Sequence, residues 1–275
     1  MEQNARVKTC IGAFFGLSGF DVVYEDTCLP ERDHKVKATR HRLVLGGTAL
    51  NAARTFARLG GEALLVTAIG DSPLGEAMKA MIRAEGIRVF DLTPDQKEVN
   101  VSTVFLRGNT RTLISGQAPL PDCFVPPNLP RFDFALYDLN LPKWTRPLVE
   151  TIMGPHLVLD AGSPKENDGF ALSHAECIIM SEHFDKQPLS SFCARRCSPS
   201  ALIARTRGAK NIQWCAHEKK RGNRCHAHRG RQYPWGGRRV PWRVLLLLLW
   251  RASSVWKIPA KSQRNRRNAH PRNLV

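Results

Sequence analysis

Acidic side chains all but disappear from the last third of this 275-residue chain: residues 191–275 hold one, Glu218, against 21 Lys and Arg. The first 190 residues carry 20 Lys and Arg and 23 Asp and Glu, so the formal net charge of +17 belongs to the tail alone. Total charge is therefore no argument for a nucleic-acid-binding protein. The tail also holds five of the six tryptophans, whereas solvated basic arms are ordinarily poor in large aromatics. Two kinds of sequence meet near residue 191. Long apolar runs are missing as well: the longest unbroken one, residues 244–250, falls far short of the roughly 20 residues of a membrane-spanning helix. Nor does an early stretch pair basic residues with an apolar run and a small-residue cleavage site. The expected setting is the cytoplasm, with the eight cysteines reduced.

What is present has the rhythm of an α/β domain. Residues 9–15 read as a strand that passes Gly16 and Gly19 into Asp21-Val22-Val23-Tyr24. Residues 35–45 interleave polar and apolar side chains, as a strand with one wet face does. After Gly46-Gly47 the period changes: Leu50, Ala53, Phe56, Ala57 and Leu59 recur at helical spacing up to Gly60-Gly61, a helix stop. Residues 64–69 form an apolar run, Leu64-Leu65-Val66-Thr67-Ala68-Ile69, interrupted only by Thr67, which suits a strand buried on both faces. Residues 73–84 then read as a helix, 134–139 as a strand, 142–153 as a helix, and 156–160 and 177–180 as strands. This alternation predicts a mostly parallel sheet. Residues 100–106 and 111–115 flank Gly108-Asn109 as a hairpin, expected to join 35–45 in a small separate sheet. Residues 201–212 suggest a short helix running into a strand, and from Trp214 onward neither period is visible. No internal repeat occurs.

The chemistry-bearing run is Gly46-Gly47-Thr48-Ala49-Leu50-Asn51-Ala52-Ala53, followed by Ala57-Arg58-Leu59-Gly60 and Ile69-Gly70-Asp71-Ser72-Pro73-Leu74-Gly75. Paired glycines let backbone approach a ligand, first-turn amides hold polar oxygens, and Asn51 offers a donor and an acceptor to a hydroxyl-rich molecule. Standing alone, the glycines would read as a turn and a helix cap. Together these markers resemble the first signature of the ribokinase (PfkB) family of carbohydrate kinases, G-G-x-x-x-N-x-A through A-x-L-G to I-G-x-D-x-x-G. The resemblance runs from about residue 10 to about residue 184.

It implies a ribokinase-like α/β fold, a mostly parallel central sheet with helices on both faces and a small β-sheet lid. It implies transfer of the ATP γ-phosphate, with Mg²⁺, to a hydroxyl of a sugar or small polyol by in-line displacement. Ribose, fructose, ketodeoxygluconate and nucleosides are all open as acceptors. By position, Asp21 matches the family's sugar-binding aspartate, and Gly46, Gly47 and Asn51 match its sugar-contacting loop. Segments 35–45 and 100–115 match the lid, which in the family closes over the sugar and often forms a dimer contact; closure excludes water. A small-molecule sugar and a homodimer through the lid are the implied partners. Asp160, Ser181 and Glu182 lie where the family approaches its nucleotide. A strand-end turn or helix cap explains Asp160 equally well. The usual N-x-x-E is broken by Ser181 and Phe184, so no metal ligand is assigned.

The family's second signature, close to D-T-x-G-A-G-D-x-F-x-G, is absent. In the family it supplies the anion hole and the aspartate that takes the hydroxyl proton. Where it should lie, residues 232–244 read Q-Y-P-W-G-G-R-R-V-P-W-R-V. Back-translated and read one base later, Trp235 before Gly236 and Trp242 before Arg243 both force glycine. Permitted third bases complete S-T-L-G-A-G-D-V-F-H-G-A-Y, with the base expected near Arg238. A frameshift between about residues 188 and 232 is the expectation, dividing a ribokinase-like part, 1–190, from a basic tail, 191–275, that replaces the nucleotide-binding part. No catalytic residue is then intact. Two other readings of the tail are a nucleic-acid-binding arm of Arg, Lys and Trp and a zinc site drawn from Cys193, Cys197, Cys215, His217, Cys225, His226 and His228. The latter have no paired C-x2-C spacing. A non-catalytic sugar-binding or dimerising remnant is the third alternative.

Overall fold

The computed structural model describes residues 10–25, 29–107, 110–152, 156–197, 201–207, 210–217 and 225–229. In chain order these form β1 (Ile11–Phe15), β2 (Gly19–Glu25), β3 (Arg40–Gly46), α1 (Thr48–Arg58), β4 (Glu62–Thr67), α2 (Pro73–Ala84), β5 (Arg88–Asp91), β6 (Val101–Arg107) and β7 (Thr110–Ser115). Then follow β8 (Phe134–Tyr137), a 3-10 turn (Pro142–Trp144), α3 (Thr145–Ile152), β9 (His156–Ala161), α4 (Asp168–His174), β10 (Cys177–Ser181), α5 (Leu189–Arg196), β11 (Leu202–Arg207), β12 (Lys210–His217) and β13 (Cys225–Arg229).

Among the described residues the main sheet has nine strands in the order β13-β12-β11-β10-β9-β8-β1-β4-β5, and a smaller sheet has four in the order β3-β2-β6-β7. From β11 to β5 every pairing in the main sheet is parallel, and β12 and β13 add antiparallel strands at one edge. Strand alternation divides the core into two layers. Ala13, Phe15, Leu64 and Val66 face a cluster with Leu148 and Val149 of α3, Leu172 of α4 and Phe192 of α5. Phe14, Ala63 and Leu65 face the other cluster, with Leu50 and Phe56 of α1 and Met78 and Ile82 of α2. Helices therefore cover both faces, which explains why β4 is apolar at nearly every position. Each such side chain contributes about 1.5–3 kcal/mol on full burial.

Several expectations are met closely. Helix α2 spans residues 73–84 as read, with Ser72 Oγ accepting from Gly75 N at 3.2 Å as its N-cap. The hairpin strands β6 and β7 pair antiparallel, while Gly108-Asn109 lies outside the described residues. Other expectations shift. The strand expected over 35–45 begins only at Arg40, where the pairing with β2 ends at Glu25 against Arg40; among the described residues, 35–39 have no partner strand. Residues 201–212 contain strand rather than helix: β11 pairs parallel with β10, and burial of Ile203 and Ala204 between the two layers outweighs their helical spacing. The basic segment thus adds β11, β12 and β13 to the main sheet. Elements β5, α4 and α5 carry too short a periodic pattern to be read in advance. Cys123 and Cys177 are free thiols, whereas Cys215, expected reduced, is disulfide-bonded.

Candidate active site

In an open parallel sheet the ligand crevice opens where neighbouring strands send their connections in opposite directions. Here that point falls between β1 and β8, since the chain proceeds from β1 toward β4 and β5 but from β8 toward β9, β10 and β11. The carboxyl ends of β1 and β8 carry Phe15-Gly16 and Tyr137-Asp138. The small sheet springs from the same place: β2 follows β1 through Leu17-Ser18, and β3 returns through Gly46-Gly47 into α1.

Three of the four expected acceptor residues meet at this return. A Cβ on Gly46 would stand 2.2 Å from Asp21 Oδ2, so the Asp21 carboxylate lies against bare backbone that only glycine provides. Gly47 has φ of 101°, and a Cβ there would lie 2.4 Å from the Leu17 carbonyl oxygen. Asn51 sits one helical turn on, its N–H donating to the Gly47 carbonyl at 3.0 Å. Burial pushes the Asp21 carboxyl above its ordinary value of 3.8, and the Arg111 guanidinium on β7 pulls the other way.

The sequence reading missed Asp138, Asn140 and Asn100. Asp138 is 2% exposed; its Oδ2 accepts from Leu17 N at 2.9 Å and Ala49 N at 3.0 Å, and its Oδ1 from Asn140 N at 2.9 Å. Burial raises its pKa against the downward pull of the Leu17 and Asn140 amides. Asn140 Nδ2 donates to Thr48 Oγ1 at 3.2 Å. Asn100 joins the strands entering and leaving the small sheet: its Nδ2 donates to Ser18 O at 3.0 Å, its Oδ1 accepts from Ala118 N at 2.8 Å, and its carbonyl accepts from Phe20 N at 2.9 Å. A polar residue ending an apolar strand run was the only visible sign of Asp138. Its partners, 121 and 89 positions away, leave no trace in local pattern.

Asp160, Ser181 and Glu182 lie along the same edge, at the ends of β9 and β10. Strand β10 is third from β1, about 14 Å away by strand spacing. Ser181 Oγ donates to Gly162 O at 2.5 Å and accepts from His183 N at 3.1 Å, so its hydroxyl is engaged in tying β10 to β9. Glu182 lies 4.0 Å from the Arg207 guanidinium. Among the described residues no group of three or more His, Cys, Asp or Glu is arranged to hold a metal ion. Arg238 and its neighbours lie outside the described residues. Among the described residues no helix is long and apolar enough to cross a membrane.

A mostly parallel sheet with helices on both faces, a glycine-rich turn at its switch point and a four-stranded sheet rooted beside it define a ribokinase-like fold. A profile described as pfkB family carbohydrate kinase matches residues 13–126. No curated protein matches the sequence. The fold is similar to that of ribokinase from Giardia lamblia, at 13% identity and a TM-score of 0.64, over 80% of each chain. It is similar to Thermotoga maritima ribokinase at 14% identity and a TM-score of 0.60, over 82% of this chain and 79% of that one. Arabidopsis thaliana ribokinase, complexed with ribose and ATP, is similar at 12% identity and a TM-score of 0.57, over 80% of this chain and 78% of that one.

Proposed function

We propose that this chain derives from a cytoplasmic, ATP-dependent kinase of a sugar or small polyol, and that as written it binds the acceptor without phosphorylating it. The observation that carries the acceptor reading is the Asp21 carboxylate seated on Gly46, one turn before Asn51. That arrangement offers a charged acceptor, bare glycine backbone and a carboxamide to neighbouring hydroxyls. The phosphate donor would approach along the sheet edge toward Asp160, Ser181 and Glu182, with Mg²⁺ arriving on its phosphates, as that ion usually does. The base and anion hole would come from the missing second signature, and the shifted reading of residues 232–244 supports a frameshift as the cause. Strand β11 pairs in regular parallel register with β10, which favours a slip beyond Arg207.

The test has two readouts on the purified full chain: thermal stabilisation by D-ribose, D-fructose, 2-keto-3-deoxygluconate and adenosine, and ADP release with Mg-ATP present. Stabilisation by one acceptor without ADP release is the expected result. ADP release above the blank would overturn the loss of catalysis, and an unchanged melting temperature with all four would overturn the acceptor site. Resequencing codons 180–275 decides the frameshift directly.

The partner reading is a homodimer through the small sheet. On the face opposite Asp21, Leu43, Val22, Thr103 and Ile114 form one cross-strand row, with Leu43 54% and Ile114 61% exposed. In the next row the Tyr24 and Phe105 rings stack at 5.6 Å. Sedimentation should give twice the chain mass, and the double variant Leu43→Glu, Ile114→Glu a single one; a monomeric parent ends this reading.

A further inference from the structure

Helix α1 begins without a cap of its own. Its N-cap position is Gly47, which has no side chain to offer, and the first turn contains no acidic residue. An uncapped helix start leaves amides that a side-chain acceptor normally satisfies, at a cost if none is found. The reason for the omission is local: a side chain on Gly46 would strike Asp21, and one on Gly47 would strike Leu17. The acceptor turn and a conventional cap compete for the same two positions.

The missing cap comes from across the sheet. Asp138, at the end of β8, accepts from Ala49 N in the first turn of α1 and, with the same oxygen, from Leu17 N at the root of the small sheet. Space for the carboxylate exists because residue 16 is glycine, where a Cβ would lie 1.9 Å from Asp138 Oδ1. The backbone is turned sharply just after the carboxylate: Leu139, fully buried, has φ of 61°, a conformation unfavourable for a non-glycine residue. That turn lets Asp138 Oδ1 accept from Asn140 N, and it brings Asn140 Nδ2 onto Thr48 Oγ1, the first residue of α1. Two side chains of one tight turn thus grip the start of the helix, and one also grips the strand leading into the lid.

We infer that Asp138 is a positioning residue for the acceptor turn, supplying from β8 the helix cap that Gly46-Gly47 forgo and fixing that turn relative to the root of the small sheet. It acts through backbone amides and is assigned no contact with the acceptor. The inference rests on the acceptor-site reading above for its functional meaning, and the capping itself is testable without any ligand.

The experiment compares the full chain with Asp138→Asn, which keeps one acceptor oxygen, and Asp138→Ala, which keeps none. Amide hydrogen exchange is followed at Leu17 and Ala49 and, as a reference, at Leu64 and Leu65 of β4. Thermal stabilisation by D-ribose and by D-fructose is measured in parallel. In Asp138→Ala, Leu17 and Ala49 should exchange on the order of tenfold faster or more, the factor for losing a hydrogen bond to a charged acceptor, while Leu64 and Leu65 keep their rates. Apparent affinity for whichever sugar stabilises the parent should fall by a similar factor, with Asp138→Asn intermediate in both readouts. Equal acceleration at all four amides would reduce Asp138 to a general stabiliser and overturn the inference, as would unchanged exchange at Leu17 and Ala49. Sugar affinity equal to the parent's in Asp138→Ala would overturn it too. If neither sugar stabilises the parent, the acceptor reading fails separately and the exchange pattern alone decides the cap. Should Asp138→Ala not fold, the same comparison is made with Asp138→Asn, where acceleration confined to Leu17 and Ala49 supports the cap and its absence overturns it.

Discussion

At the scale of single residues, the proposed acceptor site trades stability for readiness to bind. Asp21 is half-buried against Gly46, and burial holds its carboxyl above the ordinary value of 3.8 despite Arg111. A carboxyl whose folded-state pKa is raised binds its proton more tightly in the folded than in the unfolded chain. Its contribution to stability is therefore fully present below about 3.8 and is lost as pH rises through the raised value. Asp21→Asn removes that loss. The melting temperature of the variant relative to the parent should climb between about pH 3.5 and pH 7, while stabilisation by the acceptor sugar falls about tenfold or more in apparent affinity. Melting curves across that range check both; a difference that stays flat in pH would contradict the raised carboxyl.

Among elements, the small sheet is tied together at its roots by Asn100. Asn100 is 9% exposed and binds Ser18 before β2 and Ala118 after β7, while its own carbonyl holds Phe20. Glycines at 19 and 116 keep the crossing tight, since a Cβ at either would lie 2.6 or 2.5 Å from the carbonyl oxygens of Asn100 and Val101. Removing the carboxamide leaves the half-buried Ala118 amide and the buried Ser18 carbonyl without their partner, which costs about 1–3 kcal/mol. Asn100→Ala should therefore lower stability by that amount in urea unfolding, and limited proteolysis should cut first within 100–118, ahead of β4. Cleavage spread evenly along the chain would mean that Asn100 stabilises the whole molecule and not the root of the lid. This knot was not legible in advance: Asn100 read as the start of a hairpin strand, and nothing in the spacing of 18, 100 and 118 marks them as neighbours.

For the whole molecule, two apolar layers about one sheet determine stability. Phe134 is 1% exposed and meets Phe14 and Phe56 edge-on at 5.8 and 5.3 Å, joining β8, β1 and α1. Phe134→Ala should cost about 3–5 kcal/mol, read as a lower urea midpoint with an unchanged slope; a loss below about 1 kcal/mol would show that this layer collapses around the gap. Catalysis is also a property at this scale, because the proposed base and anion hole lie far along the chain from the acceptor turn. A coding sequence corrected to bring G-A-G-D into frame should yield a chain that releases ADP when given its sugar, and an inert corrected chain would count against the frameshift.

The sequence alone determined the parallel α/β sheet, the separate small sheet and the glycine turn at Gly46-Gly47 that opens a helix. Helical spacing, continuous apolar runs and paired glycines are local records of local geometry. It determined equally the change of character near residue 191, which is a matter of composition. Tertiary structure alone decided where strand β3 begins, because a strand is only as long as its partner. It alone made β11 a strand, because burial between two layers overrides a short stretch of helical period. It alone brought Asp138 to the start of α1 and Asn100 to the roots of the lid. Hydrogen bonds between residues some 80 to 120 positions apart exist only once the sheet has set its strand order, and no repeat or spacing along the chain encodes them.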